Sequence, residues 1–85
     1  MESISDRKLQ KILLAKTAFK WREMNPEYQD GVVLIWKGSA YGWKNTLRNP
    51  ESEYPGSIAV DIYGHVYIAE GISKHDSADR WELFC

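Results

Sequence analysis

Apolar residues in the first 24 positions of the chain recur at the spacing of an amphipathic α-helix. Residues 6–24 include no Gly or Pro and are rich in Leu, Lys and Ala, which favour helical backbone. Ser5 or Ser3 can cap its start, and Asn25-Pro26 ends it because the residue before proline disfavours helical conformation. The pattern predicts one long helix over residues 5–24.

The predicted helix carries two apolar stripes of unequal size. We expect the larger stripe to lie on the rest of the protein; it contains Leu9, Ile12, Leu13, Ala15 and Phe19. The smaller stripe, on the opposite side, contains Leu14, Ala18 and Trp21. We expect the C-terminal segment to cover this smaller stripe, since its apolar residues need a site, although contact with another chain is the alternative. These C-terminal residues are Trp81, Leu83 and Phe84.

Between Gly31 and Gly71 the pattern changes to short apolar runs broken by glycine, which is typical of antiparallel strands and tight turns. Val32–Trp36 is a run of five apolar residues, which predicts a central strand covered on both faces. We expect residues 41–44 to pair back on it after a turn at 37–40. Residues 58–62 and 66–69 are expected to form a second hairpin that turns at Tyr63-Gly64.

The remaining segments complete the predicted sheet. Residues 45–56 read as a solvated loop with two prolines, and residues 79–84 read as a last strand. In the third strand Ile58, Val60 and Ile62 alternate and should share one face. The predicted fold is α+β: one domain of residues 1–85, with one long N-terminal helix packed on an antiparallel four- to five-stranded sheet over residues 31–84.

Composition indicates how a small core can be stable and where in the cell the protein is expected. The chain has 85 residues, of which 13% are aromatic, and large aromatic side chains compensate for a small core because each can bury about 150–250 Å². No apolar run approaches the roughly 20 residues that span a bilayer, and the N-terminus lacks the order of a signal peptide. A single Cys85 cannot form an internal disulfide. Together these features predict a cytoplasmic protein.

Charge is distributed unevenly along the chain. The formal net charge is −1, yet the first 22 residues are net basic and the remainder net acidic. Such asymmetry can indicate an interaction surface, or a basic helix that lies on an acidic sheet within one molecule.

Residues with catalytic or metal-binding chemistry do not form a recognisable motif. His65, His75 and Cys85 lack the close pairing of zinc ligands. The carboxylate pairs Glu51/Glu53 and Asp76/Asp79 lie in loops that read as solvated, whereas acid–base catalysis needs carboxylates tuned by burial. The six glycines are dispersed at turns rather than gathered in a phosphate loop. We therefore predict no enzyme, no metal and no cofactor.

Two kinds of partner are compatible with the sequence. A nucleic acid could bind the basic residues of the helix, which are Lys8, Lys11, Lys16, Lys20 and Arg22. These residues are scattered around the helix, and the isoelectric point is about 6.1, below the value near 9 that is common in nucleic-acid-binding domains.

A protein partner agrees better with the aromatic content, because Tyr and Trp are enriched at interface hot spots. We expect the polar and aromatic surface of the hairpins to be the contact; it contains Tyr41, Trp43, Lys44, Arg48 and Tyr67. A homodimer through a free sheet edge or through Leu14 and Trp21 remains open.

The segment of residues 19–71 also resembles a known group of proteins. The resemblance lies in GVVLIW, YGWKN, a loop that ends in Pro-Gly, and AVD followed by GHVYIAEG. The segment is similar to small proteins carried by plasmids, prophages and integrative elements of proteobacteria, some of them labelled antirestriction proteins. The tail KHDSADRWELFC is less similar to that group.

This resemblance implies an accessory protein of a mobile genetic element. The implied role is counter-defence, of antirestriction or anti-CRISPR type, by binding a host protein. The alternative is a nucleic-acid-binding regulator that uses the basic N-terminal helix.

Overall fold

A computed structural model describes residues 6–71 and 77–84. One helix, α1 (Asp6–Met24), precedes five strands: β1 (Val32–Trp36), β2 (Ser39–Lys44), β3 (Ile58–Val60), β4 (Val66–Glu70) and β5 (Arg80–Leu83). The strands form one antiparallel sheet in the order β2-β1-β3-β4-β5. The predicted α+β fold, a long helix on an antiparallel sheet, is confirmed.

The sheet is buried on both faces near its centre. On the side of α1, a cluster of apolar residues fills the space between helix and sheet; it includes Ala18, Val33, Ile35, Val60, Val66 and Phe84. On the far side, Val32, Leu34 and Ala59 form a second cluster, which Leu47 of the loop 45–57 helps to cover. The prediction that β1 is a central strand covered on both faces is confirmed.

The β1–β2 hairpin turns in two residues. Lys37 and Gly38 have φ values of 50° and 83°, as a type I′ turn requires, so β2 begins at Ser39 rather than at residue 41. Further along, Leu34 is opposite Gly42 whereas Ile35 is opposite Ala40. Tyr41 is therefore the extra residue of a β-bulge, which redirects its side chain.

The second hairpin is shorter than predicted. Strand β3 ends at Val60, and the Asp61 carboxylate accepts hydrogen bonds from the backbone N–H groups of Tyr63 and His65 at 2.9 and 2.8 Å. Because the Asp61 side chain binds these N–H groups, they are not available to a neighbouring strand, and the turn begins at Asp61. The prediction that Ile62 shares the core face with Ile58 and Val60 is wrong, since Ile62 follows the strand and is exposed.

The predicted last strand is present over Arg80–Leu83. Trp81 packs on the far side of the sheet, whereas Phe84, just beyond the strand, is buried in the cluster beside α1. Several sequence predictions lie outside the described residues: those on Ser3, Ser5, His75, Asp76 and Cys85.

Helix α1 packs through the opposite face to the one predicted. Leu14, Ala18 and Trp21 lie against the sheet, and Arg22 is buried beside them. The larger stripe is mostly exposed: Leu9, Ile12, Leu13 and Phe19 face outward, and Ala15 is half-buried. The sheet covers most of the smaller stripe, and of the three C-terminal residues expected to cover it only Phe84 lies in the same cluster, since Trp81 packs on the far side of the sheet and Leu83 is exposed. The small side chain of Ala18 permits close approach of α1 to the sheet. Trp21 and Arg22 contact the chain reversal that follows α1, residues 25–31.

Candidate partner-binding surface

Arg22 connects α1 to the chain reversal that leads into β1. Its Nη1 donates to the carbonyls of Tyr28 and Asp30 at 3.0 and 2.9 Å, and its Nη2 donates to the carbonyls of Gly31 and Val60 at 2.9 and 3.3 Å. Burial lowers the pKa of Arg22, and the nearby carboxylates of Asp61 and Asp30 oppose that effect. Arg22 was predicted as a phosphate contact, but its guanidinium is turned inward and used within the fold.

Trp43, a predicted partner contact, belongs to a column of aromatic rings. The ring centres of Trp21 and Tyr28 lie 5.6 Å apart, and those of Tyr28 and Trp43 lie 4.8 Å apart. The Trp43 indole Nε1 donates to the carbonyl of Asp30 at 2.6 Å. Trp43 is half-buried on the helix side of the sheet and joins the same chain reversal that Arg22 binds.

Tyr41 and Lys44 converge on one buried carboxylate. Glu53 is 8% exposed; its Oε1 accepts from the Tyr41 hydroxyl at 2.5 Å, and its Oε2 lies 2.8 Å from Lys44 Nζ. Ser52 Oγ lies 3.0 Å from the same Oε2. The prediction that Glu53 is solvated is wrong, because the bulge directs Tyr41 onto it.

The charge state of this cluster follows from its contacts. Burial acts to raise the pKa of Glu53, but the hydrogen bonds from Lys44, Tyr41 and Ser52 outweigh it and lower the pKa below its usual value. Burial, reinforced by the hydrogen bond to Glu53, raises the pKa of Tyr41 to about 12, against the opposing effect of Ser57. At neutral pH Tyr41 is therefore a neutral phenol and Glu53 is a carboxylate, which pairs with Lys44.

These groups hold the loop 45–57 on the sheet. Lys44 Nζ also donates to the carbonyls of Arg48 and Asn49 at 3.0 and 3.1 Å, and Trp81 Nε1 donates to the carbonyl of Arg48 at 3.1 Å. Neither of the two grooves described below includes Tyr41, Lys44 or Glu53 in its lining. The arrangement explains loop anchoring and does not require a catalytic role.

The structure thus brings together four of the five residues predicted to bind a partner. Tyr41, Lys44, Arg48 and Tyr67 lie on the far side of the sheet around the anchored loop, and Trp43 lies on the helix side. Tyr67 is half-buried against the far-side cluster. Tyr41, which is 47% exposed, and Arg48 present the most accessible side chains of this group.

The His65 imidazole is paired with one carboxylate. Its Nδ1 lies 3.0 Å from Asp61 Oδ2 at the exposed β3–β4 turn. Within residues 6–71 and 77–84, no group of three or more His, Cys, Asp or Glu side chains is arranged to hold a metal ion.

The exposed side of α1 carries several large apolar side chains that the sheet leaves uncovered. Leu9, Ile12, Leu13 and Phe19 are 45, 42, 53 and 45% exposed, and we call these four residues the outer face of α1. Lys16 and Lys20 are also exposed, lie on the same side and form no ion pair with any described residue. Exposed apolar residues that cluster on one surface indicate an interaction site.

A groove runs along each side of α1, and each has a volume of about 370 Å³. The first lies between the C-terminal half of α1 and the β3–β4 turn and includes Phe19, Arg22, Glu23 and Ile62. The second, which we call the apolar groove, is lined chiefly by Leu13, Leu14, Ile58, Ile68 and Phe84, with Lys37 at its edge. Since Leu13 and Phe19 belong to both the outer face and a groove, the three features form one continuous surface.

Sequence reasoning missed this surface because it assigned the larger stripe of α1 to the core. The available signal was the presence of two apolar stripes on a helix that covers only one sheet face. Whichever stripe the sheet left uncovered was the candidate for a partner.

No family model, curated protein or solved structure matches this chain. Among the described residues, no helix combines the length and apolar character needed to cross a bilayer.

Proposed function

We propose that this chain is a small non-enzymatic binding protein that contacts another protein through the outer face of α1. The observation that carries the proposal is the exposure of Leu9, Ile12, Leu13 and Phe19 while the smaller stripe of the same helix is buried. Protein interfaces combine an apolar centre with a polar rim, and here Lys16 and Lys20 accompany the apolar side chains.

A protein partner is favoured over a nucleic acid because apolar side chains lie between Lys16 and Lys20 on the outer face of α1. Phosphate-binding surfaces are polar and strongly basic, whereas large apolar side chains occupy the outer face of α1. Of the five basic residues predicted to contact nucleic acid, Arg22 is buried and Lys11 is half-buried. Nucleic-acid binding would rest on Lys8, Lys16 and Lys20 and is the alternative function.

The resemblance of residues 19–71 to mobile-element proteins suggests which kind of partner to test. On that basis we propose a counter-defence role, in the cytoplasm of a proteobacterial host, with a restriction or CRISPR component as the partner. The exposed apolar surface supports protein binding in general, and the resemblance alone supports this particular class of partner.

The test is a pull-down from host lysate, with and without nuclease, followed by binding assays with each purified candidate. We expect the double substitution Ile12→Ser and Phe19→Ser to weaken binding at least about tenfold, because truncating a hot-spot residue near the centre of an interface costs about 2 kcal/mol or more. Both residues are exposed, so circular dichroism should remain unchanged.

The matched control tests the hairpin surface by substituting Arg48→Ser on the far side of the sheet, where the side chain is exposed. Loss of binding in this control, with full binding by the Ile12/Phe19 variant, would move the interface to the surface first predicted from sequence. Recovery of nucleic acid alone, with an affinity that falls by a log–log salt slope of about −0.9 per phosphate neutralised, would support the alternative function.

A further inference from the structure

We propose that residues 45–52, which we call the strap, open as one unit while the sheet and α1 stay folded, and that the Lys44 ammonium holds the strap closed. The strap lies on the opposite side of the sheet from α1. Opening uncovers the far-side cluster, which is buried in the closed fold and consists of Val32, Leu34 and Ala59. The molecule therefore has a second apolar surface, distinct from the outer face of α1, that the closed strap conceals.

The Lys44 ammonium, at the end of β2, is surrounded by four oxygen atoms. Three of them belong to the strap: the ammonium donates to the carbonyls of Arg48 and Asn49 at 3.0 and 3.1 Å and to Ser52 Oγ at 3.0 Å. The fourth is Glu53 Oε2, at 2.8 Å. Hydrogen bonds from a charged donor are stronger than neutral ones, so this one side chain supplies most of the polar attachment of the strap.

Few other contacts attach the strap to the sheet. Among the described residues, the backbone hydrogen bonds of the strap stay within residues 45–53. Trp81 Nε1 donates to the Arg48 carbonyl at 3.1 Å, and the Leu47 side chain packs against the far-side cluster. Leu47 and Pro50 are half-buried, whereas the other strap residues are exposed. A segment with so few buried apolar contacts opens at a lower free energy than the whole domain unfolds.

The residues that flank the strap are fixed, so opening can stop at its two ends. Lys44 is paired with Val32 in the β1–β2 ladder, and the Glu53 carbonyl accepts a hydrogen bond from the Ala78 N–H at 2.9 Å. Within the strap, Asn49 has a φ of 50°, a left-handed conformation that costs free energy for a residue other than glycine. Opening relieves this strain, whereas the Lys44 contacts oppose opening.

The rest of the fold does not depend on the strap. Among the described residues, neither the cluster between α1 and the sheet nor the ladders that join the five strands include a strap residue. Strand β1 has buried side chains on both faces: Val33 and Ile35 lie on the side of α1, and Val32 and Leu34 lie on the far side. Neighbouring positions of β1 therefore report separately on the two sides of the sheet.

The experiment measures how fast a thiol in β1 reacts with a water-soluble aromatic disulfide, in protein that carries Cys85→Ser and either Val32→Cys or Val33→Cys. Both positions are buried, with exposed fractions of 3 and 0%. We expect the thiol at position 32 to react at least about tenfold faster than the thiol at position 33, because it needs only local opening. Its rate should also depend less on urea, since local opening exposes less surface than unfolding.

Two further substitutions in the Val32→Cys protein test what holds the strap. Lys44→Met should raise the reaction rate at least about fivefold, because hydrogen bonds from a charged donor are lost. The control Glu51→Gln replaces an exposed carboxylate within the strap and should leave the rate within about twofold. Without any core substitution, deuterium exchange of the Trp81 indole N–H, which donates to the Arg48 carbonyl, should follow the same pattern.

Equal reaction rates at positions 32 and 33, with the same dependence on urea, would overturn the proposal, since both thiols would then wait for global unfolding. A rate at position 32 that Lys44→Met leaves unchanged would also overturn it, because slight static exposure would then explain the reaction. Neither result bears on the outer face of α1, whose partner is tested separately with the Ile12/Phe19 variant.

Discussion

At the scale of single residues, contacts with its neighbours keep the Glu53 carboxylate buried and charged, although its position in a polar loop predicts that it is solvated. Three donors converge on its carboxylate, from Tyr41, Lys44 and Ser52. A buried carboxylate without such partners would be protonated at a higher pH than usual. Here the pKa is lowered instead, so the charge is retained and the loop 45–57 is held on the sheet.

Substitution of Glu53 should therefore alter stability in a pH-dependent way. Because the folded-state pKa of Glu53 is lowered, its stabilising effect is fully present above the unfolded pKa, near 4.3, and is lost as the pH falls through the folded value. At pH 7 we expect Glu53→Gln to reduce the free energy of unfolding by about 1–3 kcal/mol, as measured by urea denaturation.

The difference between Glu53→Gln and the unsubstituted protein should narrow as the pH is lowered below about 4. Glu51→Gln is the matched control, since Glu51 is an exposed carboxylate two residues away, and its substitution should change stability by less than about 0.5 kcal/mol. An equal deficit for Glu53→Gln at pH 7 and pH 3 would show that charge is not the source of the stabilisation.

At the scale of elements, two glycines near the ends of β1 are needed for different physical reasons. Gly31 and Gly38 both have positive φ, 72° and 83°. Gly38 lies at the open turn, whereas a Cβ atom on Gly31 would collide with the Lys44 carbonyl and lie 2.9 Å from the Trp43 ring. The entry to β1 thus depends on close backbone approach, and the turn depends on conformation alone.

Alanine at these two glycines should separate the two effects. Gly38→Ala should cost about 1–2 kcal/mol, the penalty for left-handed backbone, and Gly31→Ala should cost distinctly more because the Trp43 ring and the end of β2 must also move. Thermal or urea unfolding of both variants gives the comparison. Similar losses for both would mean that the hairpin relaxes around the added methyl group.

At the scale of the whole molecule, the exposed surface depends chiefly on which face of α1 lies on the sheet. The buried face carries Ala18, Trp21 and Arg22, and the Arg22 guanidinium donates to four carbonyls from the chain reversal and β3. Hydrogen bonds from a charged donor are stronger than neutral ones. They favour this face although the opposite one has more apolar surface, and the consequence is an uncovered outer face.

Removing the Arg22 guanidinium should weaken helix docking. Arg22→Met keeps much of the volume but leaves one buried and three part-buried carbonyl acceptors without that donor, so we expect a loss of about 2–4 kcal/mol in the free energy of unfolding. Lys20→Met is the matched control on the exposed side of the same helix and should stay within about 0.5 kcal/mol. A small effect for Arg22→Met would indicate that Trp21 and Ala18 suffice to orient α1.

The sequence by itself determined the elements of this protein. Helix-favouring residues ended by Asn25-Pro26 define α1, and β-branched runs separated by glycine define β1 and the hairpins. These signals are local, because backbone preference, side-chain alternation and turn geometry are properties of neighbouring residues. For the same reason the early end of β3 was missed: a side-chain contact of Asp61 competes with the strand.

Only the tertiary structure decided which surfaces remain uncovered. The sequence favours the larger stripe of α1 for the core, but the choice between the two stripes depends on carbonyls at residues 28, 30, 31 and 60 that reach Arg22 only in the folded chain. The burial of Glu53 likewise depends on a bulge that turns Tyr41 toward it. Contacts between residues distant in sequence set both outcomes, so the outer face of α1 became visible only when the fold was complete.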